Sequence, residues 1–283
     1  MADASGPILV PLDGSKIAEN AVPVAAQLSR AWARPVSFFH VLEQSDTVIA
    51  PQDTDRARSA FIPYALHLGE KAGLEPAAQS ADIGWGPAAP TILAASEGAA
   101  AIVIASHGRG GFRSMFIGSV ADKVVRGADV PVLVVPGIES PVAIDAGPVL
   151  VAVDGSAEAE RGLTAARDLA GRLGSELVLV RAYNVPPPVG AEFAYYPPDV
   201  LESVQQGAEE YLAQSAQPGE RTVLAQGQAA QVIEESAEQL GAGLIVMTSR
   251  GKGLAARITL GSTTDRVMHA VERPLLVIPV PDE

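Results

Sequence analysis

The chain repeats itself at long range, and this constrains its fold more than any other feature. The stretch "IVIASHGRGGFRSMFIGSVADKVVRGADVPVLVVP" (residues 102–136) aligns without gaps on "LIVMTSRGKGLAARITLGSTTDRVMHAVERPLLVIP" (residues 244–279) over most of its length. Gly108 and Gly251 stand 143 positions apart, as do the pairs Gly118-Ser119 and Gly261-Ser262 and the prolines Pro131 and Pro274. The front ends match too: "ILVPLDGSKIAENAV" reads against "VLVAVDGSAEAERGL", with Asp13 and Asp154 141 positions apart. A unit of about 140 residues is a domain, not a solenoid module. The expected division is a first copy over residues 1–138, a linker over 139–147 within the Gly- and Pro-bearing stretch 136–148, and a second copy over 148–283.

Within each copy, short apolar runs alternate with helically spaced ones. In the first copy, strands are expected near residues 8–12, 36–41, 78–83, 101–105 and 130–135. A helical pattern fills 16–32, another lies in "APTILAASEGA", and Val120, Ala121, Val124, Val125 and Ala128 share one helix face after Ser119. Strands that are continuously apolar rather than alternating belong to a sheet covered on both faces. Strand–helix alternation implies parallel pairing through right-handed crossovers. The expected fold is α/β, an open doubly wound parallel sheet, present twice in tandem. The last strands, "VPVLVVP" and "RPLLVIP", read as apolar sheet edges, which invite pairing.

Composition narrows the chemistry. The 283 residues are 48% hydrophobic and 19% charged, as in globular proteins. No cysteine is present, which removes disulfides, thiol nucleophiles and cysteine metal sites. His40, His67, His107 and His269 are scattered singly, without metal-ligand spacing. A net charge of −13 disfavours nucleic acid and anionic membranes as partners. Residues 1–6 carry no basic region followed by an apolar core, and no apolar run reaches spanning length. The expectation is a soluble, cytoplasmic protein.

In a doubly wound sheet, ligands bind beyond the carboxyl ends of the strands, at the switch point of strand order. Each copy places two features there: Asp13 or Asp154 after the first strand, and the glycine-containing loop after the fourth. Gly108 permits close backbone approach, and Gly118-Ser119 opens a helix whose first N–H groups favour an anion. This is neither the Walker loop nor the G-x-G-x-x-G fingerprint. A glycine-rich turn before a helix is often only a turn, and the residues alone leave that alternative open. For Asp13 and Asp154 the alternative is helix N-capping, although Ser15 and Ser156 can cap as well. His107 invites reading as a base, but its counterpart is Arg250; phosphate contact or solvent exposure suits both.

Taken together, these residues resemble the universal stress protein family in its tandem-domain form. That family's pattern is G-x2-G-x9-G-[ST]; here Ala105 or Thr248 replaces the first glycine, and the rest is kept. The resemblance implies a Rossmann-like, adenine-nucleotide α-hydrolase-like fold and ATP binding with Mg²⁺ across the phosphates. Its implied contacts are Leu12 and Val41 near the adenine, Asp13 and the Ala105 position at the ribose, and Gly108, Gly118 and Ser119 at the phosphates, with Pro11, His107, Arg109 and Val120 also counted in the nucleotide site. The second copy offers Val153, Asp154, Ala182, Met247, Thr248, Arg250, Gly251, Gly261, Ser262 and Thr263, while Arg113, Lys252 and Arg257 add charge. The resemblance also implies pairing of the two copies through their last strands as an intrachain pseudo-dimer, with a homodimer as a further option. No pair stands out as a base for attacking water, so a binding and regulatory protein of the stress response is expected. The rivals are a slow ATPase or adenylating enzyme and a scaffold without nucleotide. Thr248, as a branched side chain beside the ribose, and the small Ala182 are expected to make the second site the weaker one.

Overall fold

The computed structural model describes residues 5–43, 51–106, 117–138, 143–184, 198–251 and 260–281. In the first half, β1 (Ile8–Pro11) precedes α1 (Lys16–Glu19) and α2 (Ala21–Trp32), and β2 (Val36–Leu42) precedes the long α3 (Pro51–Lys71). Then come β3 (Gln79–Trp85), α4 (Ala88–Ala95), β4 (Ala101–Ala105), α5 (Ser119–Gly127) and β5 (Val132–Val135). The second half repeats the order: β6 (Val149–Ala152), α6 (Ala157–Leu173), β7 (Leu177–Tyr183), α7 (Pro198–Ser215) and β8 (Arg221–Gln226). It ends with α8 (Ala229–Gln239), β9 (Leu244–Thr248), α9 (Ser262–Ala270) and β10 (Leu275–Ile278).

The ten strands form one sheet in the order β3-β2-β1-β4-β5-β10-β9-β6-β7-β8. Pairing is parallel within each half, and β5 and β10 join the halves antiparallel, with Leu276 opposite Leu133. β1 and β6 are the switch points, since the chain leaves them toward β2 and β7 and later returns on their other side as β4 and β9. The antiparallel junction sends the carboxyl ends of the two sets of strands to opposite ends of the sheet.

Both faces are covered. Ala101 and Val103 of β4 join one apolar cluster with residues of α2 and α6, while Ile102 and Ile104 join another with residues of α5 and α9. This is why the strands read as unbroken apolar runs. The strand expectations hold to within about two residues. The helix expected over 16–32 divides at Asn20. Pro23 explains the break: it has no N–H for the Glu19 carbonyl, so it is tolerated only in the first turn of a new helix. The second half has Thr164 at this place, and α6 runs through. The sequence reading did not anticipate α3 and α7. Among the described residues of α3 only Phe61 and Ala65 are buried apolar side chains, and Pro63 interrupts the pattern.

The stretch between the halves is packed against α2. Ile144 is fully buried, its N–H donates to Gln27 Oε1 at 3.0 Å, and Gln27 Nε2 donates to Asp145 at 2.9 Å. Asn20 Nδ2 donates to the Ile138 carbonyl at 2.7 Å. In the second half, Arg167 on α6 reaches the Glu220 carboxylate through two bonds of 2.7 and 2.8 Å and the Ser215 carbonyl, tying α6 to the end of α7 and the start of β8. That charge-assisted pairing holds the Glu220 carboxyl below its ordinary value.

Helix α6 lies close on β9 because Gly162 makes room. A Cβ at Gly162 would stand 3.1 Å from Thr248 Cγ2. The equivalent positions in the first half are Ala21 and Ala105, both buried. The two halves therefore fill one volume in two ways, glycine against threonine and alanine against alanine.

Two outcomes are expected from this packing. Gly162→Ala gains helix propensity, about 1 kcal/mol in isolation, and loses it to crowding against Thr248. In a Thr248→Ala background the same change stabilises by the full increment, and chemical denaturation of the four proteins reads the difference as a coupling. Glu220→Gln lowers stability at pH 7 by about 1–2 kcal/mol. Because the folded carboxyl titrates below its unfolded value, this contribution is complete above that unfolded value and disappears as pH falls through the folded one. Urea unfolding at pH 7 and pH 3 checks that the gap between variant and wild type closes in acid.

Candidate functional site

The carboxyl end of β1 is firmly held. Leu12 N–H donates to the Phe39 carbonyl at 2.8 Å, and His40 Nδ1 donates to the Leu12 carbonyl at 2.6 Å while its ring stacks on Phe61. Gly14 then turns the chain with a φ of 81°. Asp13 Oδ1 accepts the Ser15 N–H at 2.9 Å, and Ser15 Oγ accepts the Ala18 N–H at 3.1 Å. The second half repeats this with Val153 bonded to the Val180 carbonyl and Gly155 at a φ of 80°. There Asp154 Oδ1 takes the Ser156 N–H at 2.9 Å and its hydroxyl at 2.5 Å, and Ser156 Oγ takes the Ala159 N–H at 3.1 Å. Serine, not aspartate, caps each helix. The aspartates sit two residues earlier at the mouth of the crevice, Asp13 half-buried and Asp154 exposed.

The other wall starts at the end of β4. Ala105 is buried, and Ser106 follows it. Ser106 N–H donates to the Val135 carbonyl at 2.7 Å, its carbonyl accepts the Gly118 N–H at 2.5 Å, and its Oγ accepts the Gly137 N–H at 2.9 Å. Ser249 repeats all three: to the Ile278 carbonyl at 2.8 Å, from Gly261 at 2.8 Å and from Val280 at 3.0 Å. The Gly118 and Gly261 N–H groups, expected to be free for an anion, are thus committed to Ser106 and Ser249. The first intrahelical bond of α5 runs from Asp122 N–H to the Gly118 carbonyl. Helix geometry leaves the N–H groups of residues 119–121, and of 262–264 in α9, as the anion-facing donors. Ser119 and Ser262 are exposed there, and Val120 and Thr263 half-buried. The sequence reading missed Ser106 and Ser249, although their signal was present as a serine after the strand in both copies.

In the second half the two walls meet. A Cβ at Gly251 would stand 2.5 Å from Asp154 Oδ2, so a side chain there would displace that carboxylate, which glycine leaves in place. Thr248 is 8% exposed; its methyl faces Gly162 and its hydroxyl donates to the Arg250 carbonyl at 2.6 Å. It turns under α6 instead of projecting into the mouth, which corrects the steric ground for a weaker second site. Thr264 Oγ1 donates to the Thr248 carbonyl at 2.9 Å. The Arg250 guanidinium donates to the Val280 carbonyl, on the stretch after β10. Met247 is buried in the opposite cluster, with Val41 and Ala182 half-buried against it at the ends of β2 and β7. Pro11 closes β1. His107, Gly108, Arg109, Arg113, Lys252 and Arg257 lie outside the described residues.

Two phenols flank the crevices. Tyr64 donates to Glu19 at 2.9 Å, and burial together with that carboxylate pushes its pKa well above the ordinary phenol value. Tyr211 donates to Glu160 and is pushed up to about 12, mainly by burial. Both remain protonated donors at neutral pH and are unsuited to act as bases. Among the described residues no group of three or more histidines or carboxylates could hold a metal ion, and no helix is long and apolar enough to cross a membrane.

Comparison with known proteins gives a consistent result. The family model described as the universal stress protein family matches twice, over residues 5–136 and 146–279. A universal stress protein of Mycobacterium tuberculosis strain H37Rv is 32% identical over 198 residues, 66% of this chain and 64% of that relative's length. A second from the same strain is 28% identical over 291 residues, 95% of each chain. The crystal structure of a universal stress protein from Archaeoglobus fulgidus shares the fold, with a TM-score of 0.71 at 21% identity over 97% of this chain and 98% of that one. With its model matched in both halves, the chain belongs to the universal stress protein family.

Proposed function

We propose that this chain binds ATP at the carboxyl ends of its strands, in one or both halves, and acts as a soluble cytoplasmic regulator in the response to stress. The observation that carries the reading is the meeting of Asp154 with Gly251: an acceptor for ribose hydroxyls stands against a backbone stripped of its side chain, beside the start of α9. The adenine would lie along Leu12 and Val41 in the first half, and along Val153 and Ala182 in the second. The phosphates would face the first-turn N–H groups of α5 or α9, with Gly108 or Gly251 allowing close approach. His107, Arg109 and Arg250 belong to the same proposed surroundings. Mg²⁺, with no protein cluster to hold it among the described residues, would enter on the phosphates. No residue pair stands out as a base for attacking water, so the reading is binding, with hydrolysis slow at most.

Calorimetry with ATP and Mg²⁺ tests this directly. Binding with one or two sites per chain is expected, and absence of both heat and thermal stabilisation sinks the proposal. Asp13→Ala and Asp154→Ala should each weaken their own site about 10- to 100-fold, the worth of a charged hydrogen bond. Gly118→Asp separates fold from binding. Aspartate is a good N-cap, so stability should hold, while its charge at the phosphate seat should cost at least about tenfold in affinity. Steady release of phosphate at a rate typical of enzymes would favour an ATPase instead.

A further inference from the structure

The start of α5 is weakly anchored by its own residues. Gly118 occupies the N-cap and supplies no side-chain bond. Position 121, which in α9 is Thr264 bonded back to the Thr248 carbonyl, is alanine. Among the described residues, the polar tie from the opening of α5 to the sheet is therefore the Gly118 N–H donated to the Ser106 carbonyl. What fixes that carbonyl is the rest of Ser106. Its N–H is tied to β5, and its buried hydroxyl holds the Gly137 N–H, just past the end of β5.

We propose that Ser106 and Ser249 are positioning residues for the two nucleotide sites. Each sets where the anion-facing first turn stands relative to its strand-end aspartate, and the first half depends on its serine more than the second. This rests on the nucleotide-binding reading above. The geometry is specific: one residue clamps the ends of two neighbouring strands and the start of the following helix, and the clamp occurs identically in both halves. Losing the hydroxyl leaves the Gly137 N–H without that acceptor and removes one restraint from the Ser106 peptide. The cradle then has more positions to occupy, and an anion that needs several N–H groups in one place binds less tightly. In the second half Thr264 holds the helix start by an independent route, so Ser249 carries less of the load.

The test uses the full chain, with the other site silenced by Gly261→Asp or Gly118→Asp, and ATP with Mg²⁺ as the probe. Ser106→Ala is expected to weaken the first site about tenfold and to speed exchange of the Gly118 amide with solvent. Ser249→Ala should weaken the second site only about two- to threefold. Ser106→Thr keeps the hydroxyl and should restore both affinity and amide protection. The control is Ser29→Ala, which removes a buried hydroxyl bonded to the Arg34 carbonyl at the far end of α2. It should lower the melting temperature and leave affinity unchanged. The inference is overturned if Ser106→Ala binds as wild type, if Ser29→Ala weakens binding as much, or if Ser249→Ala proves the more damaging of the pair. A wild-type chain that takes up no ATP overturns the nucleotide reading itself, and the positioning role with it.

Discussion

Strands β5 and β10 are four residues long, buried on both faces, and each has one neighbour within its own half. Left alone, either would present a row of unpaired N–H and C=O groups beside exposed valines and leucines, a combination that sheet proteins avoid. Their antiparallel pairing removes both edges at once and turns two five-stranded sheets into one. Much else follows from that contact. It continues both apolar clusters across the halves, brings α2 beside α6, and lets Arg126 of α5 reach Asp265 of α9 as well as its own Asp122.

The crevices are a by-product of how each half is wound. β1 and β6 have neighbours added first on one side and then on the other, so the loops that leave their carboxyl ends diverge. What the particular residues add is rigidity at the rim. Serine caps free the aspartates from helix capping, His40 pins one strand end, and Ser106 and Ser249 join strand ends to helix starts. The rim uses short side chains and backbone groups, which lose little entropy when held in place.

Much of this was legible in the sequence, because burial on both faces writes itself as continuous apolar runs and duplication writes itself as a fixed offset. The strands and the duplication follow from those two signals, and the resemblance to the family from the spaced glycines and the strand-end aspartates. The long helices α3 and α7 did not follow, since they bury few apolar side chains and α3 contains Pro63. The break at Asn20 was readable in principle from Pro23, but the apolar spacing runs across it. At the site, residue types were legible and roles were not. Thr248 was expected at the ribose, yet its direction depends on Gly162, 86 positions earlier in the chain and on another element. Ser106 was passed over because nothing local separates a serine that clamps from one that merely ends a strand.

Residues 143–148 are docked, not free. A free tether would let the halves part and rejoin like two molecules at high local concentration. Here Ile144 is inserted beneath α2 and its backbone is bonded to Gln27, so the connecting strip is a third layer of the contact between halves. Separation would require withdrawing a buried isoleucine and breaking those bonds along with the β5–β10 ladder. The seam between the halves is therefore held by side-chain burial and backbone bonds from the connecting strip as well as by the β5–β10 ladder.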